Sequence, residues 1–554
     1  MHPSDRPHSL NLNPIPMAQL SLFDIQLLKD EITQYLSEHD LVQCTLVSKD
    51  WLAWFSPALW RTLNFARSTP HISALITNQH YVLSVTAFHK YLASISLASV
   101  PFPNLQSLDH TPDYGTPCNE DQVLRFIKAT PSLRCVKLTL SLSQESVLQQ
   151  LIDTLRSHPA LMNLDLSCRE FTDPNSIQQI IEACQYYDSL HLKFGDDMPS
   201  HVGHYHNYGD GIAHQIESCR TAKVAMDQMQ DMRIRALSIR ISNANQEPAI
   251  IVPLLRRCPN LEMLHLIRIH HEDTLPQVVS LFSEDRYCTK LKDVRMGYIR
   301  RNDNTAALQA DFLRLLGHDS GNGCSDNGFR HGLEKLTLSR AVEFNEQSIL
   351  ALSNHHVGSL TTVDFSKLCM STTNFIHLMT SLPKLRSLYA VLEYTRTDTQ
   401  AVLLQKQWIC LELRILELNI DLICDDNQFR APAWKGSPAD SCMTYLFSQI
   451  GILTKLQQWR LQTSDVDLWQ LEGGYLGLLA GLKQLRACYF ERLFPIRFQI
   501  GTRVAEWMIE HWPRLIHVGM LNGFAKERLE ASDRHALHAF TETLLANRPW
   551  LQVD

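Results

Sequence analysis

One pattern constrains this chain more than any other. The motif L-x-x-L-x-L, with apolar substitutions, recurs from about residue 100 to about residue 520. Well-formed copies are Leu133, Val136 and Leu138; Leu161, Leu164 and Leu166; Tyr187, Leu190 and Leu192; Leu261, Leu264 and Leu266; Leu333, Leu336 and Leu338; Leu413, Leu416 and Leu418; and Leu485, Cys488 and Phe490. Partial copies begin at Leu105 and Leu385. The starts at 105, 133 and 161 lie 28 residues apart, those at 385 and 413 also 28, and those at 234 and 261 lie 27 apart. Such a period holds one strand and one helix per unit, and no unit buries its apolar face alone. Many units must therefore stack. Three intervals are longer, 187 to 234, 291 to 333 and 413 to 456, and each reads as one unit carrying a loop insertion.

The stretches between the motifs are helical. Val147, Leu148, Leu151, Ile152 and Leu155 share one face, as do Ile177, Ile180, Ile181 and Cys184, and Val504, Trp507, Met508 and His511. Pro131, Pro159, Pro259, Pro383 and Pro513 stand two residues before the next motif. Proline cannot continue a helix and pushes its predecessor toward an extended conformation. A doubly wound sheet would instead show near-continuous apolar strands and a Gly-rich phosphate loop. Neither is in the sequence. The unit resembles a leucine-rich repeat, although Ser141, Arg169 and Ile269 stand where that family most often has Asn or Cys. The resemblance implies an α/β fold, a curved solenoid with parallel strands inside and helices outside.

The first sixty residues differ. Ile25, Leu28, Ile32, Tyr35 and Leu36 fall at helical spacing, with Asp24 placed to cap. Asp40 is positioned to cap a second short helix with Leu41, Cys44 and Val47. A third holds Trp51, Leu52 and Phe55 and is expected to end at Pro57. Trp51, Trp54 and Trp60 give this small module more aromatic surface than its core needs. Leu22, Ile25, Ile32, Leu36-Ser37, Asp40-Leu41, Cys44, Leu46-Val47-Ser48-Lys49, Trp51, Pro57 and Leu59-Trp60 together resemble the F-box over residues 18–63. Leu22-Phe23 replaces the Leu-Pro that usually opens that family's motif. The resemblance implies docking onto a Skp-type adaptor and, through it, a cullin–RING ubiquitin ligase. The residues it assigns to adaptor binding are Leu22, Ile25, Leu28, Ile32, Leu36, Leu41, Val47, Trp51, Leu59 and Trp60. The expected layout is a disordered tail over 1–17, an F-box over 18–63 and a helical linker or cap over 64–100. A solenoid over 101–554 follows, with insertions near 193–233, 297–332 and 419–455.

The chain has 554 residues and a formal net charge of −7, which disfavours a general nucleic-acid binder. None of its 14 cysteines forms a C-x-x-C pair, and most, such as Cys135, Cys184 and Cys488, sit in apolar patterns. They read as reduced core residues of a cytoplasmic or nuclear protein. Residues 1–16 lack a signal-peptide apolar run, and no stretch is apolar for the ~18 residues of a membrane span. No membrane association is expected.

Chemistry is sparse. His201, His204 and His206, with Tyr205, Tyr208 and Asp210, lie in a Gly-rich insertion that reads as a solvated loop. His270-His271-Glu272-Asp273 are consecutive and cannot converge on one metal. Gly321-Asn322-Gly323-Cys324-Ser325 lacks the trailing Gly-Lys-Ser/Thr of a phosphate loop, and G-x-S-x-G is absent. No catalysis, metal or cofactor is expected. The useful surface is the residue between the last two apolar positions of each motif, which points away from the core. These residues are Lys137, Asp165, His191, Ser238, His265, Arg295, Thr337, Asp364, Glu417, Arg460, Tyr489 and Gly519. The mixture suits a protein target, placed here on Asp364, Glu417, Arg460 and Tyr489, with self-pairing of Glu417 and Arg460 as the competing reading. The expected function is target recognition for a Skp–cullin–F-box ligase. A leucine-rich-repeat scaffold or enzyme regulator without a ligase role is the alternative.

Overall fold

The computed structural model describes residues 26–67, 70–90, 102–112, 119–142, 144–158, 160–169, 174–195, 231–241, 247–269, 271–284, 288–299, 305–317, 332–339, 344–394, 406–422, 438–463, 474–491, 501–519 and 531–553. The expected tail over 1–17 lies outside them. Contacts divide the chain into two compact units, 1–140 with 149–163, and 141–148 with 164–554.

The first unit opens with three helices, α1 (Gln26–Tyr35), α2 (Glu38–Thr45) and α3 (Lys49–Trp60). Ser37, not Asp40, is the N-cap of α2. The Ser37 hydroxyl accepts from the Asp40 N–H at 3.2 Å, and the Asp40 carboxylate accepts from the Ser37 N–H at 3.1 Å. Asp40 is thus the reciprocal half of a capping box. The Ser37 side chain first, and its backbone N–H second, hold the Asp40 carboxyl below its ordinary range. Pro57 does not end α3, which continues to Trp60. A proline removes its own N–H and crowds the preceding turn, but half-buried Leu59 and Trp60 retain the packing that holds the following turn.

The expected helical linker at 64–100 is corrected. The strands β1 (Thr62–Asn64) and β2 (Ser84–Thr86) flank α4 (Ile72–Asn78), and they pair in parallel, Leu63 opposite Val85. The strand β3 (Ser107–His110), the helix α5 (Glu120–Lys128) and the strand β4 (Cys135–Leu140) follow, with Leu108 opposite Val85 and Val136. The array therefore starts before the first recognisable motif. Each of these two early strands has three residues and a single buried one, too few to spell the motif.

The second unit repeats the same step. Its strands are β5 (Asn163–Cys168), β6 (Ser189–Phe194), β7 (Ala236–Ile241), β8 (Met263–Ile269), β9 (Asp293–Ile299), β10 (Lys335–Leu338), β11 (Thr362–Ser371), β12 (Ser387–Tyr394), β13 (Ile415–Leu422), β14 (Gln458–Thr463), β15 (Ala487–Glu491), β16 (His517–Gly519) and β17 (Gln552–Val553). Each pairs in parallel with the next from β6 onward. Between the units' strands run α6 (Glu145–Ser157), α7 (Pro174–Ala183), α8 (Glu247–Arg256), α9 (Thr274–Ser283), α10 (Thr305–Leu315), α11 (Glu346–His355), α12 (Thr372–Met379), α13 (Pro438–Gly451), α14 (Thr502–His511) and α15 (Ala531–Asn547). From α8 to α12, successive helices pack side by side. This is the leucine-rich-repeat solenoid the motif implies.

A recurrent backbone device fixes the step. The first motif residue donates to the carbonyl three positions earlier, as Leu261 does to Cys258 and Leu413 to Cys410. The next two N–H groups then converge on one carbonyl of the preceding unit. Glu262 and Met263 both donate to Arg235, at 2.7 and 3.0 Å, and Arg414 and Ile415 both donate to Arg386. The motif's apolar residues are almost fully buried, each contributing about 1.5–3 kcal/mol of transfer free energy. Where the common Asn or Cys is missing, other buried side chains tie neighbouring units. His356 accepts the Leu333 N–H on Nδ1 at 3.0 Å, so Nε2 carries the proton that it donates to the Leu313 carbonyl at 2.8 Å. Trp512 likewise donates to the Leu479 carbonyl at 3.1 Å.

Two of the three expected insertions are smaller than the sequence suggests. The segment 297–332 holds α10 and the segment 419–455 holds α13, so each contains the helix of its own unit. The remainder, 318–331 and 423–437, lies outside the described residues, as does 196–230 of the first insertion.

Candidate functional site

Two surfaces stand out. The first is on α2 and α3. Leu41 is 8% exposed and Phe55 4%, so they form the core between the helices, with the Trp51 ring 5.4 Å from that of Phe55. Leu46 is 74% exposed, Val47 63%, Leu52 49% and Val42 39%. Helical spacing puts Val42 and Leu46 on one face, and Ser48 caps α3 through the Trp51 N–H, which fixes Val47 and Leu52 beside them. Of the residues assigned to adaptor binding, Val47 and Ile32 are exposed, while Leu28, Leu36, Trp51, Leu59 and Trp60 are half-buried. Leu41 belongs to the core rather than to the surface. Leu22 and Ile25, with the expected cap Asp24, lie outside the described residues. Val42, Leu46 and Leu52 were not assigned. The i, i+4 spacing of Val42 and Leu46 was the available signal.

The second surface is the strand face of the second unit. Its pairing aligns Asp364, Tyr389, Glu417, Arg460, Tyr489 and Gly519 on successive strands. Glu417, Arg460 and Tyr489 are therefore neighbours, as expected. Asp364 is not beside Glu417, because Tyr389 stands between them. Tyr389 escaped the sequence reading because Ala390 occupies the third apolar position of its motif. Its phenol is pushed up by burial and then by Glu417 and Asp364.

These groups satisfy one another. Glu417 accepts from Gln458 Nε2 at 2.9 Å and from the Arg460 guanidinium at 3.2 Å. The same guanidinium lies 4.8 Å from the Tyr489 ring centroid, within cation–π reach. Tyr489 meets the His517 ring at 4.9 Å. It lies so close over Gly519 that a Cβ there would fall 2.5 Å from Tyr489 Cδ1. The self-pairing of Glu417 and Arg460 is present.

The other half of this face carries His191, Ser238, His265 and Arg295 at the matching positions of β6 to β9. The Ser238 hydroxyl lies 3.1 Å from His265 Nδ1, and Arg295 binds Asp293 at 3.0 Å. Burial lowers His265 to about 4, and the nearby His191 and Arg295 act in the same direction.

Among the described residues no group of three or more His, Cys, Asp or Glu side chains is placed to hold a metal ion. His271 Nδ1 accepts the Asp273 N–H at 3.1 Å, an ordinary turn contact. His201, His204, His206, His270 and the Gly321–Ser325 string lie outside the described residues. Nine described cysteines carry no disulfide. Burial raises the thiols of Cys168, Cys184, Cys258 and Cys488, and that of Cys410 to about 12, which makes them poor nucleophiles. No described helix is long and apolar enough to cross a membrane.

No protein-family model matches this sequence, and no curated protein does. Solved structures with a similar course of chain include TLR13 in complex with ssRNA13, at 13% identity and a TM-score of 0.33, covering 80% of this chain. This chain spans 59% of that one. Another is the yeast complex of Rad7 and Elc1, at 12% identity and a TM-score of 0.39, covering 96% of this chain and 97% of the other. A third is the leucine-rich-repeat-containing protein LegL7 from Legionella pneumophila, at 12% identity and a TM-score of 0.31, covering 60% and 96%. Likeness at this level says nothing of activity or partner. What the chain's own geometry establishes is a leucine-rich-repeat solenoid in which an apolar helical face and a polar strand face are the available docking surfaces.

Proposed function

We propose that this chain is the target-recognition subunit of a Skp–cullin–F-box ubiquitin ligase, working in the cytoplasm or the nucleus. The α2–α3 face docks the Skp-type adaptor, the strand face holds a target protein, and ubiquitin transfer belongs to partner subunits. The reading is carried by Val42, Leu46, Val47 and Leu52, four apolar side chains exposed together on one small helical module. Contiguous exposed apolar surface of this kind marks a partner site. Holding a target close to the charged enzyme raises the effective concentration of its lysines without new chemistry in this chain.

Co-purification with a Skp-type adaptor tests the proposal. Val47→Asp with Leu52→Asp changes only exposed positions, so the fold should persist while adaptor binding is lost. Leu41→Ala is the wrong probe, because it opens the core. If the unaltered chain failed to retain the adaptor, or the double variant retained it equally, the ligase reading would be wrong.

A further inference from the structure

The strand face carries a second aligned row, two residues beyond the first. Lys193 on β6 lies opposite Arg240 on β7, and Arg240 opposite Arg268 on β8. The next position, on β9, is Tyr298, which is exposed. Neighbouring strands are about 4.8 Å apart, so three cations fall within roughly 10 Å. A one-residue irregularity makes this alignment: the pairing skips Ile267 between Leu266 and Arg268.

Like charges directly opposite one another on adjacent strands are unfavourable. The electrostatics register it. Lys193 is held below its ordinary value by burial, then by Arg240 and Arg268, against a smaller opposing effect of Asp165. Arg240, itself 5% exposed, is lowered to about 10 by burial and by Arg268. The row below adds His191, His265 and Arg295, the last bound to Asp293. A fold that serves only to pack has no reason to align three cations on successive strands. A dianion set over them would relieve their repulsion and accept several charge-assisted hydrogen bonds.

We propose that the β6–β8 face, with Lys193, Arg240 and Arg268 in line and Tyr298 at its edge, binds a phosphorylated serine or threonine in an extended segment of a protein partner. A nucleic-acid backbone fits less well. It needs a long track of cations, and the same face turns acidic at Asp364 and Glu417. A single phosphate needs only the short cluster, and Arg is the side chain best suited to grip it. The inference rests on the target-receptor reading only in naming a protein as the partner.

The test uses the full chain without adaptor, so its outcome is independent of adaptor docking. The probes are an immobilised peptide library with a fixed phosphoserine among random residues, the same library unphosphorylated, and the same library with glutamate at the fixed position. A fluorescent poly(U) oligonucleotide serves as the competing anion. The expected result is retention on the phosphoserine library at least about tenfold above the other two. Lys193→Glu with Arg268→Glu should abolish it, and Lys193→Gln with Arg268→Gln, the gentler pair, should weaken it with the thermal transition intact. Arg460→Glu should leave it unchanged. Equal retention on the three libraries, retention indifferent to both double variants, or displacement of the peptides by poly(U) would each overturn the proposal.

Discussion

The two halves of one strand face handle charge in opposite ways. Across β13 to β16, unlike groups are set beside each other: Glu417 against Arg460, Arg460 against Tyr489, Tyr489 against His517. Across β6 to β8, like groups are set beside each other: Lys193, Arg240 and Arg268. Both halves share the same backbone, the same parallel pairing and the same buried apolar ladder. The difference lies entirely in exposed side chains, where folding places little demand. The paired half is already satisfied and gains little from a charged partner. The basic half holds a cost that an anion would remove. The sequence pointed to the first half as the target site, and the geometry makes the second half the stronger candidate for anionic recognition.

The largest effect is expected at Gly297, which supports the basic half. A Cβ there would fall 1.7 Å from the Ile267 carbonyl oxygen, on the strand whose irregularity lines up Arg268. Backbone cannot yield as a side-chain tip would. Gly297→Ala should destabilise by about 3 kcal/mol, seen in denaturant unfolding, and should disturb Arg268 and Tyr298 together. A change below about 0.5 kcal/mol would mean that the irregularity is soft and the alignment incidental.

Next comes the paired half. Glu417→Lys would set a cation against Arg460 and remove the acceptor for Gln458, giving this half the character of the other. A loss of about 1–2 kcal/mol is expected, shrinking in high salt because the groups are partly exposed. Acid titration separates the halves further. His265 is lowered to about 4 from its ordinary 6.5. Below pH 6.5 the unfolded chain takes up a proton that the folded one refuses. Stability therefore falls as pH drops from about 6.5 toward 4. His265→Gln should flatten that slope by about 1 kcal/mol, after allowing for solvent screening. The smallest effect has the opposite sign. Arg268→Glu should raise stability by about 0.5 kcal/mol, because it relieves Lys193 and Arg240, while phosphopeptide capture is lost. Stability gained as binding disappears would mark the row as functional rather than structural.

Legibility in the sequence followed burial. The strands were readable wherever three apolar residues at fixed spacing had to meet the core, as at Leu133, Val136 and Leu138 or Leu413, Leu416 and Leu418. The helix faces at 147–155 and 177–184 were readable for the same reason. The early strands β1 and β2 were not, since one buried residue makes no pattern. Tyr389 was hidden by the small Ala390, and Arg268 by the extra residue at Ile267, which breaks the fixed offset used to find exposed positions. On α2 the distinction between core and surface was lost for a different reason. Leu41, Val42, Leu46 and Val47 are all apolar, and only packing reveals that the first is buried and the others are not. A face kept apolar for a partner looks, in sequence, like a face kept apolar for the core.

That ambiguity sets the most direct measurement of the central claim. Hydrogen exchange of the full chain, with and without a Skp-type adaptor, reads which backbone amides the partner covers. The account predicts slowed exchange across 38–60, including the ends of α2 and α3 that carry Leu46, Val47 and Leu52, and no change across β6–β8 or β13–β16. Exchange unaltered over 38–60, or protection confined to the strand face, would contradict it.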